Sequence, residues 1–175
     1  NLNTKSVKPG SKLVYQVWLD TTKFDANNKD NIQTVGITDN YDEAKLDVKV
    51  SDIKAYDGKT GKDVTDKFNI SIANGVITAN LKDGFTKSLG DAENTQIIDT
   101  TKFEFGRYYK FVIPAKVSDG AYDGAEIENT AAQVVNYYNP TTKKTEKPEK
   151  PTEKRVNNVP MAIQLIFGKT LNGRQ

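Results

Sequence analysis

The sequence predicts an all-β chain folded as a two-sheet sandwich, and three observations predict it. Apolar residues recur with period two along most of the chain. Turn signals containing Gly and Asn separate these runs at the spacing usual in sandwiches. No stretch sustains the apolar stripe of an amphipathic helix. The 175 residues are enough for one domain with its own core.

The elements follow in order. Leu13, Tyr15, Val17 and Leu19 alternate with Val14, Gln16 and Trp18, a strand with apolar groups on both faces. Leu46, Val48, Val50 and Ile53 predict a second strand with a bulge or break, ended by Asp57-Gly58 and Thr60-Gly61. Phe68, Ile70 and Ile72 alternate, and Asn74-Gly75 supplies two positive-φ positions for a tight hairpin returning along Val76–Leu81. Residues 82–105 lose the period, and Phe85, Leu89, Ile97 and Ile98 are expected to anchor a crossover loop or short helix across the sandwich there. Tyr108–Ile113 reads as a strand, which Pro114 should keep from an interior place in its sheet. Ile127–Tyr138 is a further long strand, and in each of the pairs Tyr108/Tyr109 and Tyr137/Tyr138 one ring is expected to pack inward.

Thr141–Lys154 is rich in Lys, Glu, Pro and Thr. It cannot bury a core and reads as a linker or an exposed hairpin tip. Ala162–Phe167 alternates again, an extra C-terminal strand. The domain is therefore expected over residues 1–160. Residues 161–175 are read as the first strand of a following module or an appended tail. The opening Asn1 and the single methionine, Met161, suggest a piece of a longer protein.

Composition narrows the chemistry. Cys and His are absent, which removes thiol nucleophiles, disulfides and imidazole acid–base catalysis, so no enzyme is expected. Basic residues number 25 against 23 acidic ones, interleaved along the chain, and only Arg107, Arg155 and Arg174 are arginines. That balance argues against a nucleic-acid partner. No apolar run is long enough to insert in a membrane. The acid pairs Asp42/Glu43 and Glu126/Glu128 do not stand out from ordinary surface charge. Asp25, Asn27, Asn28 and Asp30 lie in an oxygen-rich turn that reads either as a calcium loop or as an exposed Asx turn; it lacks the glycine and closing Glu of an EF-hand loop.

Three segments in this order carry a family resemblance: Ser6-Val7-Lys8-Pro9-Gly10 leading into Tyr15-Gln16-Val17-Trp18-Leu19-Asp20, then Thr38–Asp47, then Glu126–Val134 with Val156-Asn157-Asn158-Val159-Pro160. Together they resemble the C-terminal modules of the streptococcal antigen I/II adhesins and the enterococcal aggregation substances. The resemblance implies an immunoglobulin-like sandwich on a Gram-positive cell wall, stacked with similar modules as a stalk for a distal binding head. The alternative is a module that itself binds a host or bacterial surface ligand. The resemblance further implies a site where Lys and Asn side chains fuse into an isopeptide bond beside a buried acid. The acid falls on Asp39 and the amide on Asn129. The amine position, after the aromatic Tyr15, holds Gln16, which is no nucleophile. A non-covalent trio of Gln16, Asp39 and Asn129 is therefore expected, with Lys12, of the same strand parity, as the alternative amine.

Overall fold

A computed structural model describes residues 9–24, 31–119 and 127–146. Its strands are β1 (Lys12–Asp20), β2 (Ile32–Tyr41), β3 (Leu46–Asp47), β4 (Lys54–Asp57), β5 (Phe68–Ala73), β6 (Val76–Leu81), β7 (Thr86–Ser88), β8 (Gln96–Ile98), β9 (Tyr108–Val117), β10 (Asn129–Asn139) and β11 (Lys144–Glu146). Three-residue 3-10 turns lie at Val50–Asp52, Thr65–Lys67 and Asp83–Phe85. The calcium-loop residues Asp25, Asn27, Asn28 and Asp30 and the segment 161–175 lie outside the described residues.

Two antiparallel sheets face each other. In one, β9 is central: β1 pairs along one side, and β3 and β4 follow one another along the other. The second runs β11-β10-β2-β6-β5, and β7 and β8 form a separate two-stranded ribbon. Leu13, Tyr15, Val17 and Leu19 of β1, with Phe111, Ile113 and Val117 of β9, meet Val35 and Ile37 of β2 and Ile77 and Ala79 of β6 in one core. This is the sandwich that the period-two pattern predicts.

The Asn74-Gly75 hairpin forms as expected, with φ of 51° and 76° at its two turn residues. Other elements depart from expectation. The apolar run from Leu46 breaks after Asp47; Val50 enters a 3-10 turn and is exposed, while Ile53 is buried. Leu89 is exposed at 38% and anchors nothing, whereas Ile97 and Ile98 are buried and Phe85 packs on the core edge.

Pro114 does sit in the interior strand of its sheet, contrary to expectation. Even-numbered residues of β9 point their backbone toward β3 and β4, as Tyr108 does when its carbonyl accepts from Gly58 N. However, β4 pairs with Tyr109–Val112 and β3 with Lys116 and Val117. The missing N–H of Pro114 thus faces the gap between two short strands, where no ladder bond is lost.

Candidate functional site

Asp39 and Asn129 meet at one side of the core, and register explains how. Asp39 has the parity of Val35 and Ile37 on β2, so it faces inward, and it is 1% exposed. Along β10, Ala131 lies opposite Asp39 and Asn129 opposite Tyr41, so Asn129 is on the same face one pleat away. Asn129 Nδ2 donates to Asp39 Oδ2 at 2.8 Å. Among the described residues the second oxygens, Asp39 Oδ1 and Asn129 Oδ1, are buried without a hydrogen-bond partner.

A carboxylate in this position is poorly solvated. Burial pushes the Asp39 carboxyl up to about 7, against the smaller opposing pull of the Asn129 hydrogen bond. A proton on Asp39 supplies a donor to a site that otherwise holds two unpaired acceptors. The Tyr15 phenol is held above its ordinary range by burial, then by the nearby negative charges of Asp39 and Asp42. Tyr15 lies on the core-facing, odd-numbered side of β1 and is close enough to Asp39 to feel its charge.

The structure brings Asp39 and Asn129 together and leaves Gln16 and Lys12 on the other face of β1. Core positions on β1 are odd-numbered; Val14 and Gln16 are buried but belong to the opposite face. Gln16 lies opposite Val112, which lies opposite Lys54, and Lys12 lies opposite Lys116. Both Lys12 and Lys116 are exposed. The expected trio is thus a pair plus a tyrosine. The physical reason is the pleat: one residue along a strand reverses the face.

Sequence reasoning missed a polar bridge between the sheets, distinct from the Asp39–Asn129 contact within one sheet. Gln133 Oε1 accepts from Asp20 N at 2.9 Å, and Gln133 Nε2 donates to Asp20 O at 3.3 Å. Gln133 is two residues beyond Ala131 on the same inward face, so one side of β10 holds Asn129 and Gln133 against β2 and β1 in turn. The signal was available: polar residues alternate with Ala131 on a strand otherwise read as apolar.

On the outer face of the β9 sheet, Trp18 and Tyr108 are each 37% exposed and pack edge to face at 6.1 Å. Lys110 Nζ lies 5.9 Å from the Trp18 ring and 5.5 Å from the Tyr56 ring. Such rows stabilise a solvated sheet face by roughly 0.5–1 kcal/mol per cation–π contact. Tyr109, by contrast, turns inward and is 2% exposed. Among the described residues no group of three or more acidic side chains is placed to hold a metal ion.

Comparison with known proteins adds three findings. A family model described as the cell surface antigen I/II C2 terminal domain matches residues 1–159. The aggregation substance of Enterococcus faecalis is 26% identical over 154 residues, 78% of this chain and 11% of that protein. This chain therefore spans only a small part of that relative's length. The major pilin subunit of Bacillus cereus superposes with a TM-score of 0.51 at 17% identity, covering 81% of this chain and 33% of the pilin, which is a likeness of fold.

Proposed function

This chain belongs to the cell surface antigen I/II C2 terminal domain family, and from that premise we propose that it is a load-bearing stalk module. It is an immunoglobulin-like domain of the surface-adhesin and pilin kind found outside Gram-positive cells. In the proposed role it stacks between similar modules of a wall-anchored protein and holds a distal binding head away from the wall. It turns over no substrate.

The observation that carries this reading is the direction of the strands. Tyr15 lies near Asp39, which is opposite Ala131, and Asp20 meets Gln133. So β1 and β10 run the same way. The chain enters the sandwich at one end and leaves β10 at the other. Once the three-residue β10–β11 pairing has opened, tension along the chain shears β1 against β9 and β10 against β2, two ladders of nine paired residues each. Ladder bonds loaded in shear must yield together, whereas bonds loaded in an unzipping geometry yield singly.

The Asp39–Asn129 pair is non-covalent in this module, because the core-side residue of β1 near Asp39 is Tyr15 and not an amine. The intact mass of the purified chain is expected to equal the sequence mass. A mass lower by one ammonia would reveal an amide bond to Asn129 and overturn this part of the reading.

A second reading has one observation in its favour, the row of Trp18, Tyr108 and half-buried Lys110 with both rings exposed, which suits a ligand-binding face. The two readings separate in one experiment. In the whole surface protein, deleting the module is expected to reduce adhesion, and an unrelated rigid spacer of equal length is expected to restore it. The purified chain is expected not to bind host matrix or bacterial surfaces. Binding by the isolated chain with a Kd below about 1 μM, together with failure of the spacer to restore adhesion, would replace the stalk with the ligand-binding module.

A further inference from the structure

Load that enters at β1 arrives in one sheet, and load that leaves from β10 departs from the other. It must therefore cross the sandwich. Most side chains that meet between the sheets are apolar. Apolar burial is non-directional, so it resists separation of two layers more than their sliding. Tension draws β1 and β10, which run the same way, in opposite directions. Sliding of one sheet over the other is thus the motion a load-bearing module has to resist.

Two hydrogen bonds join β1 to β10 directly. Asp20 N donates to Gln133 Oε1 at 2.9 Å, and Gln133 Nε2 donates to Asp20 O at 3.3 Å. Both residues are buried, so water competes little for these bonds. A Gln amide carries one acceptor and a donor group, the pair that a neighbouring strand would offer to a single residue. An ionised carboxylate at the same place would lack the donor.

Each end of this bridge is anchored in its own sheet. Beside Asp20, Thr21 N donates to Arg107 O at 3.1 Å, and Arg107 N donates to Thr21 Oγ1 at 3.1 Å. These bonds tie the end of β1 to the residue that precedes β9. Gln133 lies opposite Ile37 of β2, in the middle of the nine-pair ladder between β10 and β2.

We propose that Gln133 couples the two sheets under load and passes tension from β1 to β10, an inference that rests on the stalk reading. The two bonds share one residue on each strand, so a slide of β1 past β10 strains both at once. Hydrogen bonds tolerate only small departures from their length and angle. The bridge therefore yields as a unit, and until it does the two ladders share the load.

The test applies force to the full 175-residue chain in two geometries. Held by its termini, the chain loads β1 against β10. Held through Ala73→Cys and Thr142→Cys, it loads β5, β6, β2 and β10 within one sheet, and no native cysteine competes for the attachment. Gln133→Met removes the amide at similar length, and Gln133→Asn keeps the amide but shortens its reach. At equal force, each variant should unfold at least about tenfold faster than the parent when held by the termini. That acceleration should be largely absent when the chain is held through positions 73 and 142. Equal acceleration in the two geometries would make Gln133 a stabilising residue only and overturn the proposal. In the parent the Asp20 amide should exchange slowly with solvent, and its free exchange would overturn the proposal without any variant. A parent that yields between its termini in small steps at low force would overturn the stalk reading itself, and the coupling role with it.

Discussion

Asp39→Asn is expected to stabilise the protein at pH 8 by on the order of 3 kcal/mol and to erase most of its stability change between pH 5 and pH 8. The sign follows from the shifted carboxyl. An unfolded Asp39 titrates near 3.8, and the folded one near 7. At pH values below both, each state keeps the proton and burial of the neutral acid carries no ionisation cost. Between those values only the unfolded chain has released its proton, so stability falls as pH rises, by about 1.4 kcal/mol per unit. Above the folded value the loss is complete. An asparagine has no proton to lose; its carbonyl oxygen can accept from Asn129 Nδ2 as Asp39 Oδ2 does, and its NH2 can donate to Asn129 Oδ1, which lacks a partner.

The neighbouring groups do not blur this readout. Burial and the charges of Asp39 and Asp42 keep Tyr15 protonated throughout the range. Asp57 pulls the other way at lower pH. Burial would raise its carboxyl, but hydrogen bonds from Lys59, Thr60 and Arg107 hold it below its ordinary range. Its contribution is present above its unfolded value and lost as pH falls, and it is common to parent and variant. Urea midpoints of both proteins at pH 5 and pH 8 supply the comparison. A parent equally stable at the two pH values would show that Asp39 is ionised in the fold without cost.

Phe103→Ala is the second large effect, an expected loss of about 3–5 kcal/mol. Phe103 is 1% exposed and stacks on Tyr109 with ring centroids 4.5 Å apart, edge-on to Phe68 at 5.8 Å and Phe105 at 5.9 Å. Its loop is closely held. Asp99 caps the turn below it by accepting from Thr101 N at 3.0 Å, and Phe103 N donates to Asp99 O at 3.1 Å. The Tyr109 hydroxyl donates to Glu104 O at 2.5 Å. These bonds prevent the loop from collapsing into the space an alanine would leave, so most of the cavity cost should persist. Leu89→Ala, at the exposed position in the same crossover region, should change stability by less than about 0.5 kcal/mol. Equal denaturation midpoints for the two variants would refute the placement of Phe103 at the centre of the aromatic cluster.

Phe103 marks where legibility ends. Period two exposes a strand only when the partner faces are uniform, and residues 82–105 obey no single period. Their buried members, Ile97, Ile98 and Phe103, are fixed by what lies across from them. The same holds for β2, the central strand of its sheet, which alternation alone does not reveal. Gly36 interrupts its apolar series, and a Cβ there would overlap the Ala79 carbonyl oxygen, so close approach to β6 sets that residue. Asp39 then places a carboxyl where an apolar residue is expected.

The residues alone determine that this chain is all-β, where the Asn74-Gly75 hairpin turns, and that β1, β9 and β10 are strands, because alternation and positive-φ turns are local properties of a chain. The family resemblance, and not the alternation, singles out Asp39 and Asn129. That these two bond, that Tyr15 rather than Gln16 takes the core side of β1 near them, and that Pro114 can occupy a central strand were decided only by tertiary structure. Each depends on register between segments far apart in sequence, and a shift of one residue in register moves every side chain to the opposite face.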